Sequence, residues 1–262
     1  MPGAGVRAGT NGTNLNNPEN LSFMSDNHDN TFQRVMGIFA HPDDPEFYSG
    51  GTFAKWAAEG KEIIFVLATS GDKGSNDLAM TSDQLIALRE DEERAAAARL
   101  GVREVIFLRF PDGELQPTLD LRRQITRLIR LKRPDVVVTN DPTARWYGVG
   151  YLNHPDHRAI GDAALDAVFP SARDHLTFPE LYREEGLAPH KVTQVYLCGA
   201  QEPTAKVDVT DYLETKIAAL REHKSQIADM EEMARRQREN VDPLFAGDGQ
   251  RYTESYRIFH LR

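Results

Sequence analysis

Short apolar runs alternate with amphipathic helical patterns along most of this chain, and this alternation restricts the folds open to it. Residues 35–40 form the first run, which is typical of a strand buried on both faces. Further strands are predicted at 62–68, 104–108, 135–139, 192–197 and 206–209, and helices at 52–59, 82–100, 118–132, 156–168 and 211–239. Alternating strands and helices predict right-handed crossovers. We therefore expect a single α/β domain with a Rossmann-like, doubly wound, largely parallel sheet and helices on both faces.

Composition and charge set the limits of this domain and of its partners. The chain has 262 residues, enough for one large core. Residues 1–30 are rich in Asn, Gly, Ser and Pro, so we expect a disordered N-terminal tail before a domain at 31–262. The net charge of −9 disfavours nucleic acid or an anionic membrane as a partner. No signal peptide is evident, so we expect a cytoplasmic protein, and the sequence leaves open whether it forms a homo-oligomer.

Two short histidine–aspartate clusters carry most of the chemical information. Residues 41–44 read His-Pro-Asp-Asp after the first predicted strand, and residues 154–157 read His-Pro-Asp-His at the start of a predicted helix. Zinc prefers imidazole and carboxylate ligands, and a catalytic zinc site keeps one position open for water. His41, Asp44 and His157 are therefore the candidate metal ligands. Another divalent ion can replace zinc, since nitrogen and oxygen ligands discriminate poorly between metals.

The other side chains of the two clusters are predicted to do the chemistry. Asp43 lies beside a ligand without being needed as one, so it can accept a proton from the attacking water. His154, when protonated, can stabilise an oxyanion or donate to a leaving amine. Both clusters follow the predicted carboxyl ends of strands, where doubly wound sheets bind their ligands. Either cluster alone is compatible with a plain helix cap and turn, but the two together predict one hydrolytic site.

The motifs resemble those of the LmbE-like, or PIG-L, family of zinc-dependent N-acetylglucosaminyl deacetylases. The resemblance rests on Ala-His-Pro-Asp-Asp at 40–44, Gly-Gly-Thr at 50–52 and His-Pro-Asp-His at 154–157, and it extends over 33–230. Pro45 departs from the pattern, because many members carry a glutamate directly after the two aspartates. The resemblance implies the same ligands and the same general base as the residues themselves suggest.

The resemblance also implies a substrate and further site residues. It implies a zinc-dependent hydrolase that removes an N-acetyl group from an N-acetylglucosamine-type amino-sugar conjugate. His154 would polarise or protonate the tetrahedral intermediate, and Arg89 and Asp112 would hold substrate hydroxyls. We also expect the loop at 141–153, which contains Trp146, to set substrate specificity.

Two alternatives to this function stay open. One is an amidase that cleaves a thiol-conjugate or antibiotic-like amide with the same metal machinery. The other is a non-catalytic metal-binding or ligand-binding module. The presence of Asp43 disfavours the second, because a purely structural metal site needs no adjacent base.

Overall fold

Eight strands form one mixed sheet in the described part of this computed structural model, which comprises residues 22–23, 31–245 and 249–262. The strands of the sheet and of a small separate hairpin are β1 (Ser22–Phe23), β2 (Arg34–Phe39), β3 (Glu62–Thr69), β4 (Glu104–Phe110), β5 (Val136–Asn140), β6 (Trp146–Tyr147), β7 (Tyr151–Leu152), β8 (Gln194–Cys198), β9 (Ala205–Asp208) and β10 (Thr253–His260). The sheet order is β1-β9-β10-β8-β5-β2-β3-β4, and β6 pairs with β7 in the hairpin. The pairs from β8 to β4 are parallel, whereas β10 runs antiparallel to β8 and β9.

Helices cover both faces of this sheet. They are α1 (Asp44–Ala58), α2 (Ser82–Arg99), α3 (Leu119–Lys132), α4 (Pro155–Asp166), α5 (Pro179–Arg183), α6 (Leu213–Leu220) and α7 (Met230–Glu239). Side chains of a strand alternate between faces, so β2 contributes Met36 and Ile38 to the core under α3 and α4, and Val35 and Phe39 to the core under α1 and α2. The predicted largely parallel, doubly wound fold is confirmed. Within the described residues, every helix is too short or too polar to cross a lipid bilayer.

The position of β2 creates a crevice at the carboxyl ends of the strands. The chain runs from β2 outwards to β3 and β4 on one side, and then returns to β5 on the other side. The loops that follow β2 and β5 therefore diverge, and ligands of doubly wound sheets bind at such a point. The first histidine–aspartate cluster follows β2, and the second one forms the N-cap and first turn of α4, after β5.

The first helix begins earlier than its sequence pattern predicts. The predicted helix at 52–59 is only the second half of α1, which starts at Asp44 and is kinked at Ser49, where φ is −145°. Beyond the kink, the backbone N–H groups of Gly51 and Thr52 donate to the two carboxylate oxygens of Glu254, at 3.0 and 2.8 Å. A carboxylate from distant β10 thus caps the second half of α1, and no local sequence pattern reveals it.

The predicted helix at 211–239 is wrong as a single element. The chain forms α6 and α7 instead, with a turn at 221–229 between them. In this turn, Ser225 donates from its N–H and hydroxyl groups to the carboxylate of Glu92, at 2.8 and 2.7 Å. The turn also buries His223, whose exposed fraction is 1%. These tertiary contacts replace the hydrogen bonds that an uninterrupted helix would have made.

Two further segments bear on the sequence predictions. Within the predicted tail, β1 pairs in parallel with β9, Ser22 standing opposite Ala205. The remaining residues of 1–30 lie outside the described part, so the disordered tail stays a prediction. The segment at 141–153 was expected to be an irregular loop, but it contains the antiparallel hairpin of β6 and β7. Its tip is fixed to the domain, because the Tyr147 hydroxyl donates to the carbonyl of Gly199 at 2.8 Å.

Glu90 of α2 connects the helix to the ends of β3 and β4. Its buried carboxylate accepts hydrogen bonds from the Ser70 hydroxyl at 2.8 Å and from the Arg109 guanidinium at 2.8 and 3.0 Å. Arg94 adds a further bond at 2.9 Å. The hydrogen bond from Arg109 is the main cause that lowers the pKa of Glu90 to about 2, although burial opposes it.

We expect Glu90→Gln to lower the Tm at neutral pH and to lower it less at about pH 3. A carboxyl group whose folded-state pKa is depressed stabilises the fold above its unfolded pKa, near 4.5, and this contribution is lost as the pH falls towards about 2. Thermal unfolding followed by circular dichroism at the two pH values measures this. The exposed neighbour variant Asp91→Asn is the control and should shift the Tm little at either pH. A Tm difference for Glu90→Gln that does not depend on pH would contradict the role of its charge.

Candidate active site

A cavity of about 480 Å³ lies where the loops after β2 and β5 diverge. All seven predicted site residues line it: His41, Asp43, Asp44, Arg89, Asp112, His154 and His157. Phe47, Tyr48 and Tyr151 add aromatic surface. A larger cleft of about 750 Å³ borders Arg34 and Asp135, but none of the seven residues is among the described residues that line it. The chemistry of the side chains, and not the volume, therefore identifies the smaller cavity as the candidate site.

Asp44 joins the two histidine–aspartate clusters. Its Oδ2 accepts the backbone N–H of His41 at 2.9 Å and lies 3.3 Å from the Nδ1 of the same residue. Its Oδ1 lies 3.0 Å from Nε2 of His157. Burial acts to raise the pKa of Asp44, but the two imidazoles hold that pKa well below its usual range. One ionised carboxylate is thus placed between two imidazole rings that come from different elements.

The start of α4 orients His157 towards this carboxylate. Pro155 stands in the first turn of α4, where a missing N–H costs nothing. The Nδ1 atom of His157 faces Oδ1 of Asn153 at 2.9 Å and the Tyr48 hydroxyl at 3.3 Å. These contacts leave Nε2 to point at Asp44. In metal sites, such a second partner fixes the tautomer and the orientation of a ligating histidine.

The donor set fits a divalent cation. His41, Asp44 and His157 are all buried, and each offers one ligand atom within 4.8 Å of the other two. Two imidazoles and one carboxylate are a common protein ligand set of catalytic zinc. Burial lowers the pKa of His41, but hydrogen bonds to Asp112, Asp156 and Asp44 raise it well above its usual range. The same negative surroundings that favour an imidazolium also attract a metal cation.

A second group of potential ligands shares His41 but fits a metal less well. This group consists of His41, Asp112 and His154. The side chain of His154 is 39% exposed, and its Nδ1 already accepts the backbone N–H of Asp156 at 3.2 Å. The fully buried set with Asp44 and His157 is therefore the better candidate for the cation.

Asp43 has an unusual backbone and a perturbed carboxyl group. Its φ of 96° is left-handed, a conformation that costs a residue other than glycine on the order of 1–3 kcal/mol. Burial raises the pKa of Asp43 to about 6, while the Arg89 guanidinium, 3.4 Å from Oδ2, opposes the rise. A carboxylate with such a pKa is ionised at neutral pH and is a stronger base than an ordinary aspartate.

His154 is placed to donate from its Nε2 atom. Its ring packs edge-on against His41, with ring centroids 4.7 Å apart. Burial and the neighbouring His41 lower the pKa of His154, which favours the neutral imidazole. Because Nδ1 accepts a backbone N–H, the neutral ring carries its proton on Nε2. The residue can therefore donate a hydrogen bond without first becoming protonated.

Arg89 and Asp112 border the cavity, and both also contact the first cluster. The Arg89 guanidinium donates to the carbonyls of Gly71 and Pro42, at 3.1 and 2.6 Å. Gly71 has a φ of +67°, which favours glycine, and a Cβ there would lie 2.1 Å from the guanidinium, so a larger residue would displace Arg89. The Oδ1 atom of Asp112 lies 3.1 Å from Nε2 of His41. Their contacts with substrate hydroxyls stay a prediction.

Sequence reasoning missed three buried residues behind Asp43. Glu46, Glu93 and His223 come from α1, α2 and the turn after α6. The Nε2 atom of His223 lies 3.3 Å from Glu46 and 3.9 Å from Glu93. Burial raises the pKa of both glutamates well above their usual range. No local spacing connects the three residues, so only the assembled fold reveals this group.

The fold and the cavity together are typical of metal-dependent hydrolases, in which a carboxylate base stands beside the ligands. The profile of the PIG-L family, described as GlcNAc-PI de-N-acetylase, matches residues 36–168, a region that contains both histidine–aspartate clusters. The chain belongs to this family.

Named relatives agree with this membership. The chain is 33% identical to diacetylchitobiose deacetylase of Thermococcus kodakarensis over 80% of this chain and 76% of that protein. It is 31% identical to 1D-myo-inositol 2-acetamido-2-deoxy-alpha-D-glucopyranoside deacetylase of Mycobacteroides abscessus over 75% of this chain and 82% of that protein. The solved N,N'-diacetylchitobiose deacetylase of Pyrococcus horikoshii aligns with a TM-score of 0.78 at 32% identity, covering 87% of this chain and 84% of that one. The predicted family and the enzyme class of N-deacetylases are confirmed.

We expect wild-type protein reconstituted with zinc to hold about one metal ion per chain, and His157→Ala to lose most of it. Removing one of three protein ligands weakens binding strongly, because the remaining pair leaves the cation incompletely coordinated. Elemental analysis after dialysis measures the metal content. The exposed His175 provides the control, since His175→Ala removes an imidazole without touching the cavity. Unchanged metal content in His157→Ala would refute the ligand assignment.

Proposed function

We propose that this chain is a divalent-metal-dependent N-deacetylase that uses zinc and acts on N-acetylglucosamine-type amino-sugar conjugates. The observation that carries the proposal is the position of Asp43, a carboxylate outside the three-residue donor group that lines the same cavity. A base beside the ligands is what hydrolysis requires. The names of the relatives support the substrate class, because both describe deacetylation of acetamido sugars.

His41, Asp44 and His157 would hold the cation. When bound, zinc polarises the amide carbonyl and makes water a stronger acid. The three side chains are preorganised for this task, since Asp44 already contacts both imidazoles and Asn153 orients His157. Asp112 and Asp156 contact Nε2 of His41 at 3.1 and 3.3 Å, so this ring is held from outside the donor group.

Asp43 and His154 have different roles, since Asp43 accepts a proton and His154 donates a hydrogen bond. Asp43 accepts a proton from the attacking water, in the ionised form that its pKa of about 6 provides at neutral pH. The Nε2–H group of His154 donates a hydrogen bond to the oxygen on which negative charge develops. The proton taken up by Asp43 then becomes available to the leaving amine, which departs as the acetyl group is released as acetate.

The walls of the cavity suit a sugar ring. Phe47 and Tyr151 are 41% and 53% exposed and line the cavity, so an apolar face of a pyranose can stack on them. Arg89 and Asp112 also line the cavity and offer charge-assisted hydrogen bonds to hydroxyl groups. Trp146, on β6, is 55% exposed, and we place the part of the conjugate beyond the acetylated sugar beside it.

We expect Asp43→Ala to retain its metal and to lose roughly 10²-fold or more in kcat/KM, as is usual for a missing general base. In the wild type, kcat/KM should rise with pH through an acid limb at or below about pH 6, because the ionised form of Asp43 is active and a nearby cation favours that form. Initial rates over the pH range, with metal content measured in parallel, test both statements. Loss of the metal from Asp43→Ala would make Asp43 a ligand instead.

The substrate class is tested by a product-release screen with zinc-reconstituted protein. We expect acetate and a free amine from N-acetylglucosamine conjugates such as N,N'-diacetylchitobiose, and faster release from these than from thiol-conjugate or antibiotic-like amides. Identification of the released acid separates the two enzymatic alternatives, and His157→Ala should be inactive on every substrate. Release from the other amides alone would refute the sugar proposal, while no release from any amide would favour the non-catalytic module.

A further inference from the structure

Two side chains of α2 hold the peptide group that precedes the proposed base. The carbonyl of Pro42 accepts a hydrogen bond from Nη2 of Arg89 at 2.6 Å, and the N–H of Asp43 donates to Oε2 of Glu93 at 3.0 Å. Arg89 and Glu93 are four residues apart and therefore lie on one face of the helix. Both polar ends of the Pro42–Asp43 peptide group are thus bound by one rigid element.

The backbone of Asp43 needs such support. Its φ of 96° is disfavoured for any residue with a side chain, and its carboxylate makes no capping hydrogen bond to α1. The direction of the carboxylate therefore depends on the peptide plane from which the side chain leaves, together with one direct contact, from Nη2 of Arg89 to Oδ2 at 3.4 Å. A peptide group that rotated would move the carboxylate away from the cavity.

Glu93 in turn lies beside two further buried ionisable side chains, Glu46 and His223. It is fully buried, as is Glu46, and His223 stands between the two carboxylates with Nε2 3.3 and 3.9 Å from their oxygens. The three side chains lie close enough together to suggest a metal site, but none of them lines the cavity. The group therefore has no face towards the substrate, and its contact with the site is the hydrogen bond that Glu93 accepts from the backbone N–H of Asp43.

Burying three ionisable side chains together costs desolvation free energy. Buried ionisable side chains are often replaced by apolar ones without loss of stability. Three of them are nevertheless gathered directly behind a strained catalytic backbone. This combination favours a contribution of the group to the geometry of Asp43.

We infer that Glu93 is a positioning residue, which holds the general base in its productive orientation through the Asp43 N–H group. The inference rests on the proposed function, because it assumes that Asp43 is the base. It predicts that Glu93 affects kcat through Asp43 alone, and leaves metal binding and KM unchanged.

The first test compares Glu93→Ala with Glu93→Gln, whose amide oxygen can still accept the Asp43 N–H. We expect Glu93→Ala to lower kcat by about 10-fold to 10²-fold, the effect of a misplacement of roughly 1 Å, at constant KM and metal content, and Glu93→Gln to recover most of the loss. The matched control is Glu92→Ala, which removes a buried carboxylate that binds Ser225 but not Asp43. This control should lower the Tm and keep the wild-type kcat. An equal loss of kcat in Glu92→Ala would overturn the inference.

The second test is a double-mutant cycle with Asp43→Ala. If Glu93 acts through Asp43, adding Glu93→Ala to Asp43→Ala will leave the residual rate unchanged. If the residual rate falls by the same factor as in the wild type, Glu93 has another role and the inference is refuted.

A fully active Asp43→Ala would instead overturn the proposed base and the inference with it. A wild-type kcat in Glu93→Ala, with Asp43→Ala inactive, would overturn the inference alone. If Glu93→Ala fails to fold, Glu93→Gln takes its place, and a kcat as low as that of Asp43→Ala would then be the contrary result.

Discussion

The contact between Asp44 and the two imidazoles is the interaction on which the candidate site depends. It joins the loop after β2 to the first turn of α4, two segments more than one hundred residues apart in the chain. A buried carboxylate is stable only when it is paired, and both histidines supply that pairing. The contact therefore joins the segments that follow β2 and β5 across the crevice between them.

Helix α2 contributes to this region in an unusual way. Four of its charged residues are buried, and each has a different partner: Arg89 binds the loop after β2, Glu90 the ends of β3 and β4, Glu92 the turn after α6, and Glu93 the backbone of Asp43. A helix in this position would ordinarily bury apolar side chains. Here, hydrogen bonds to charged groups replace part of that apolar packing, so the helix fixes the positions of loops as well as stabilising the core.

The apolar cores and the candidate site thus occupy different parts of the domain, and this division separates folding from chemistry. The parallel strands and their two apolar cores form the frame on which the site is built. The ionisable groups gather at one end of this frame, where strained backbone, as at Asp43, is held in place by hydrogen bonds with α2. Family membership agrees with this division, because the matched region, residues 36–168, contains the central strands and both clusters.

The sequence by itself determined the order of most strands and helices and the identity of the side chains that meet in the cavity. Hydrophobic periodicity is a local property. His41 lies directly after a strand and His157 lies in the first turn of a helix, so their common position at the rim of the sheet follows from the parallel topology. Only the tertiary structure decided where α1 begins, where the segment at 211–239 breaks, and that Glu46, Glu93 and His223 meet behind Asp43. The physical reason is the same in each case. The hydrogen-bonding groups at these positions are paired with a carboxylate, amide or imidazole from an element distant in the sequence. Such pairing produces no hydrophobic periodicity from which it could be predicted.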